Sequence, residues 1–135
     1  MMEEVCGLKN IVISVGNGLL CDAIAEALRR CGQFRCQSVP PERSRDMTGV
    51  CRGCRCDVLL MEVSRLPGAT LPERLCAGDA VRALVPGCRV ALLCDEVADP
   101  ELAQQVMQAR QQGRIDGFLY ASVTEAYLTA ALEAL

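Results

Sequence analysis

The chain has no histidine and no tryptophan, and only two phenylalanines and two tyrosines among its 135 residues. The first absence removes the commonest general base and the commonest zinc ligand. The shortage of aromatics leaves no row of stacking side chains for single-stranded nucleic acid. Neither sign of charge dominates: 14 Lys and Arg against 17 Asp and Glu give a net charge of −3, with no basic stripe. No apolar run nears the ~20 residues that a membrane-spanning helix needs. No basic stretch precedes an apolar one as in a secretory leader. The expected location is therefore cytoplasmic, with no membrane contact.

What the chain does have is apolar mass and sulfur. Hydrophobic residues make up 51% of it, and a chain of this size buries about two-thirds of its unfolded surface. With so few aromatics the core must be aliphatic and sulfur-rich. The ten cysteines would suit a disulfide scaffold in a small secreted protein. Without a leader, and with several of them inside helical and strand patterns, they read as reduced thiols packed like small hydrophobes. Cys51, Cys54 and Cys56 are the exception in spacing. A zinc site there needs a fourth ligand, from Cys36 or Cys31. A thioredoxin-like use needs CxxC after a strand, and this one comes before a strand. No bound metal and no cofactor are expected.

The pattern alternates strand and helix five times. Ile11–Val15 is a strand closed by Gly16-Asn17-Gly18, and a helix follows with apolar residues at Leu20, Ile24, Ala27, Leu28 and Cys31. Phe34–Val39 is a second strand. Residues 42–53, polar and with two glycines, predict a short or irregular element. Residues 57–63 hold Val58-Leu59-Leu60-Met61, a strand buried on both faces, ending in Glu62 and followed by Pro67-Gly68. A helix over 71–85, a strand over 89–94, a helix from Asp99 to about Gln112, a strand over 117–120 and a helix over 123–135 capped by Ser122 complete the order. Such alternation predicts a doubly wound parallel sheet with helices on both faces. Residues 1–9 read as an N-terminal extension and 10–135 as one domain.

Asp57-Val58-Leu59-Leu60-Met61-Glu62 with Pro67-Gly68, and the closing Asp116-Gly117-Phe118-Leu119-Tyr120-Ala121-Ser122, resemble the receiver domains of two-component response regulators, most closely the LuxR/NarL type. The resemblance covers residues 10–135. It implies a flavodoxin-like (βα)5 fold, strand order 2-1-3-4-5, in three α/β/α layers. Phosphotransfer in that family uses an acidic pair that holds Mg²⁺, an aspartate nucleophile, a hydroxyl and a lysine. The matching positions here are Val15 and Gly16, Glu62, Cys94, and Ala121, none of which can do the corresponding work. The extra methylene of Glu62 displaces its carboxylate enough to spoil in-line attack, and one residue more than the pattern separates it from Pro67. Phe118 matches the family's switch aromatic.

The resemblance thus implies a degenerate pseudo-receiver: no enzyme, but a regulatory domain working by phosphorylation-independent protein contact. Its expected partner is another protein or a second copy, through the face of the fourth helix, fifth strand and fifth helix, with Thr124, Tyr127 and Thr129 as candidates. DNA is expected only through a helix-turn-helix domain beyond this chain. Glu62 could mimic a phosphorylated aspartate, but with Ala121 unable to pair with it the plainer reading is a solvated carboxylate. Two alternatives stay open. One is an anion-binding domain like those of phosphotransferase IIB proteins, using the backbone of the Gly16–Gly18 loop. The other is a thiol-based redox or metal sensor built on Cys51, Cys54 and Cys56.

Overall fold

Branched and apolar residues place β1 (Lys9–Ser14) and β3 (Val58–Glu62) side by side at the centre of a sheet, with Ile11 opposite Val58 and Ser14 opposite Met61. The computed structural model describes residues 8–135. Residues 1–7 of the expected extension lie outside the described residues, and Lys9 already belongs to β1, so the domain begins earlier than residue 10. β2 (Phe34–Ser38) flanks β1, while β4 (Arg89–Cys94) and β5 (Gly117–Tyr120) continue beyond β3. All neighbours are parallel, in the order β2-β1-β3-β4-β5. The expected flavodoxin-like architecture is the observed one.

Among the described residues, five α-helices cover the two faces. α1 (Gly18–Cys31) and α5 (Glu125–Glu133) pack Ile24, Leu28, Leu128 and Leu132 on one side against Ile11, Ile13, Val58 and Leu60. α2 (Met47–Cys54), α3 (Leu71–Leu84) and α4 (Pro100–Gln111) pack Met47, Val81, Leu102 and Val106 on the other against Val12, Leu59, Met61 and Leu92. Alternate strand residues thus feed two separate cores, which is why Val58–Met61 are all fully buried.

The helix ends follow capping chemistry. Asn17 accepts from the Leu20 N–H, and Gly32, at φ +77°, closes α1 in the left-handed region that glycine tolerates. Thr70 and Glu73 form a reciprocal capping box at the start of α3. One expectation needs correction. The last helix starts at Glu125, because the Thr124 hydroxyl, and not Ser122, accepts from a first-turn N–H, that of Tyr127. Ser122 instead donates to Glu96. The polar segment before β3 is short and irregular as expected: a 3₁₀ stretch, Pro41–Asp46, runs into the eight-residue α2, whose buried residues are Met47 and Cys51.

Candidate functional site

The carboxyl-terminal tips of parallel strands are where open α/β sheets expose loops to ligands. Here Ser14, Glu62, Cys94 and Tyr120 close β1, β3, β4 and β5 at one end of the sheet. The group that organises this end was not among the residues expected from sequence. It is Arg74, one turn into α3 and 1% exposed.

The Arg74 guanidinium reaches across the strand tips. Nη1 donates to Ser14 Oγ at 3.0 Å, Nη2 to the Ser14 carbonyl at 3.0 Å, and Nε to the Glu62 carbonyl at 2.7 Å. Burial pushes its pKa down to about 10, against the opposing pull of the Glu62 and Glu73 carboxylates, so it stays charged at neutral pH. Its spacing carried a signal: Arg74, Gly78 and Val81 are the buried residues of α3 and share one face. A cation in phase with a core stripe must find acceptors or unfold the helix from the sheet.

Glu62 and Gly16, expected as separate degenerate positions, are brought together. Glu62 Oε1 accepts from the Gly16 N–H at 2.8 Å, so the carboxylate is anchored where a merely solvated one was expected. An added Cβ on Gly16 would lie 3.4 Å from that oxygen and 3.6 Å from Pro41 Cγ, ordinary van der Waals contact. The first N–H of the Gly16–Gly18 loop is thus taken by the protein's own carboxylate, and the Asn17 side chain by Leu20. Val15, the other half of the matched pair, is buried.

The loop after β3 closes over this site. Ser64 N–H donates to the Ala69 carbonyl, Arg65 holds Asp99 through Nε at 2.7 Å and Nη2 at 3.2 Å, and Gly68 N–H donates to Glu73 Oε1 at 2.8 Å. Gly68 has φ +88°, and a Cβ there would sit 3.2 Å from the Pro41 carbonyl oxygen. Gly68→Ala should therefore cost about 1–3 kcal/mol, read as a lower urea midpoint. A midpoint equal to the parent's would show the loop relaxes freely.

The remaining matched positions are chemically quiet. Cys94 is buried, and burial with the nearby Glu96 and Asp95 charges pushes its thiol up to about 11. Its Sγ faces the Leu119 carbonyl at 3.9 Å, a weak interaction. Ala121 contributes only its backbone, donating to the Cys94 carbonyl at 2.8 Å, and its short side chain leaves a groove lined by Leu20, Ile24, Val123 and Leu128. Phe118 is half-buried, its ring centroid 5.6 Å from that of Tyr120. Of the candidate contact residues, Tyr127 is 60% exposed, Thr124 is the α5 cap, and the half-buried Thr129 turns its hydroxyl to the Ala126 carbonyl.

The cysteines resolve differently from expectation. The fourth thiol beside Cys51, Cys54 and Cys56 is neither Cys36 nor Cys31 but Cys88, just before β4. These four lie at the amino-terminal end of the sheet, opposite Glu62. Among the described residues no three cysteine or carboxylate side chains are grouped as a metal ion requires. No helix of the described residues is long and apolar enough to cross a membrane.

No protein-family model matches the chain, and no curated protein does. Solved structures do match. The signal receiver domain of the response regulator NarL from Mycobacterium tuberculosis is 19% identical, with a TM-score of 0.70 and 94% of each chain covered. A DNA-binding response regulator of the LuxR family from Staphylococcus aureus is 12% identical, with a TM-score of 0.73 over 94% of this chain and 98% of that one. A streptococcal structure, described as one of a novel family of redox sensors evolved from two-component response regulators, is 17% identical. Its TM-score is 0.73, over 93% of this chain and 50% of that one. At these identities the likeness establishes the receiver fold.

Proposed function

We propose that this receiver-fold chain is a regulatory domain that signals by protein contact without a phosphoryl switch. One observation carries the reading: the buried Arg74 guanidinium ties Ser14 to Glu62 at the strand tips. A receiver places a divalent cation and an aspartate nucleophile at this end; here a cation built into the chain bonds the backbone and Glu62 is spent on Gly16. The positive charge is permanent, so the site has one state where a phosphorylated receiver has two.

Contact surfaces support the protein-partner part of the reading. Leu19, in the first turn of α1, and Leu66 and Val97, on the loops after β3 and β4, are 85%, 70% and 78% exposed at the strand-tip end of the sheet. Exposed apolar side chains gathered at one end favour a protein over a polar metabolite. The α4–β5–α5 face adds Tyr127 and the Phe118–Tyr120 pair, beside a groove that includes Arg110, and is the face assigned to a second copy. The streptococcal redox sensors are a precedent for this scaffold taking an input other than phosphate. DNA contact is left to a helix-turn-helix domain outside this chain.

Sedimentation velocity at about 100 µM, a concentration that populates weak interfaces, tests the reading. The expected result is the same dimer fraction with and without Mg²⁺ and acetyl phosphate. A monomer under both conditions removes the second copy as the partner. A dimer that forms only with the phosphodonor overturns the proposal.

A further inference from the structure

The site at the strand tips leaves unexplained the thiols at the other end of the sheet. α2 ends in a helix-terminating turn in which Arg55 adopts φ +54°, uncommon for a side chain larger than asparagine. The Cys56 N–H donates to the Cys51 carbonyl at 2.9 Å and the Arg55 N–H to the Arg52 carbonyl at 3.3 Å. This paired pattern sets the residue after the left-handed one against the residue five before it. Here both are cysteines, 2% and 0% exposed.

Cys56 is the hub of the group. Its thiol donates to the Val58 carbonyl at 2.9 Å, and the Cys51, Cys54 and Cys88 thiols are its neighbours. Cys54 is the one member with solvent access, and its Sγ lies 3.7 Å from the Cys51 carbonyl. The four do not converge on a point an ion could occupy. The helix-terminating turn sets Cys56 directly against Cys51, both buried, which suits a bond between their two sulfurs.

We propose that Cys51 and Cys56 form a reversible disulfide that is loaded through Cys54 by a small-molecule disulfide and gives this domain a thiol-redox input. The exchange balances in three steps. The Cys54 thiolate attacks the small disulfide and expels one of its thiolates. The Cys56 thiolate attacks Cys54 Sγ, expelling the second small thiolate. The Cys51 thiolate attacks Cys56 Sγ, returning Cys54 as a thiolate that takes up a proton. Overall, two protein thiols are oxidised to one disulfide, and the small disulfide is reduced to two thiols. Burial raises the Cys54 pKa, and the neighbouring Cys51 thiol raises that of Cys56, so loading is slow at neutral pH and quickens as pH rises.

The same helical stretch connects this pair to the other end of the sheet. The 3₁₀ segment from Pro41 runs directly into α2, which ends at the thiols. Pro41, buried, packs beside Gly16 and Gly68, the residues bonded to Glu62 and Glu73. Drawing Cys51 and Cys56 from contact to bonding distance strains the end of α2, and the segment leads back to the Glu62 site.

The test uses the whole chain, oxidised with glutathione disulfide at pH 8, alkylated, and mapped by peptide mass, with amide spectra recorded before and after. The half-exposed Cys21, Cys31 and Cys36 and the exposed Cys76 serve as internal controls for surface reaction. The expected result is a Cys51–Cys56 disulfide, amide shifts at Gly16, Glu62 and Gly68, and reversal of both by dithiothreitol. Cys54→Ala should slow loading at least tenfold while leaving the reduced-state signals of Gly16, Glu62 and Gly68 in place, and Cys56→Ala should abolish the shifts at Gly16 and Gly68. Cys51 and Cys56 recovered as free thiols after the surface cysteines have reacted would overturn the proposal. So would a disulfide formed with no change at Gly16, Glu62 or Gly68. Neither outcome bears on the absence of a phosphoryl switch, which stands on Arg74.

Discussion

Arg74→Ala is expected to destabilise the domain by about 3–5 kcal/mol, the range for breaking a buried charged network. The guanidinium makes three hydrogen bonds that link β1 and β3 to α3. Alanine leaves the Ser14 hydroxyl and two strand-end carbonyls short of a donor, and it opens a void where a large side chain was fully enclosed. Arg74→Met, which keeps most of the stem and removes the cost of burying a charge, should lose clearly less. Urea unfolding of both variants gives the comparison. An alanine variant within 1 kcal/mol of the parent would mean that Arg74 is not the pin that holds the strand tips.

Leu60→Ala is the second large effect, at about 2–5 kcal/mol. Leu60 is fully buried in the middle of the central strand, opposite Ile13 and Ala91, in the core beneath α1 and α5. Arg74 belongs to the helix on the other face, so the two substitutions share no partner and their costs should add within about 0.5 kcal/mol. Additivity would confirm two independent cores separated by the sheet. A coupling above 1 kcal/mol would instead show that strand-tip geometry and the α1/α5 core move together.

The scaffold was legible in the sequence because its signals are local and redundant. Four consecutive apolar residues at 58–61 can only be buried on both faces, and Gly32, Asp99 and Gly113 mark helix ends by chemistry that acts within a turn. The parallel order follows from the alternation itself. Boundaries slipped where two capping candidates stood close together, as with Ser122 and Thr124, since either hydroxyl could serve and only the backbone path decides.

The site was half legible. Val15, Gly16, Glu62, Cys94 and Ala121 do stand at or beside the strand tips, but what fills the space between them did not follow from any motif. Arg74 stands in phase with the buried stripe of α3, but its spacing does not say which acceptors it meets. Its meaning depends on the depth to which α3 settles on the sheet, which Gly78 permits by bringing its backbone to Val90. Cys88 was hidden for a related reason: it lies 32 positions beyond Cys56 in the sequence, and only the register of β3 against β4 brings the two together.

The central claim is that a resident arginine has replaced the phosphoryl switch. Amide NMR of this chain, titrated with Mg²⁺ and beryllofluoride as an acyl-phosphate mimic, tests it most directly. The account predicts a spectrum unchanged at Ser14, Gly16, Glu62, Cys94 and Ala121 up to millimolar concentrations of both. Saturable shifts centred on Glu62 and Cys94, requiring both Mg²⁺ and beryllofluoride, would contradict it and show that the pocket still admits a phosphoryl group beside Arg74.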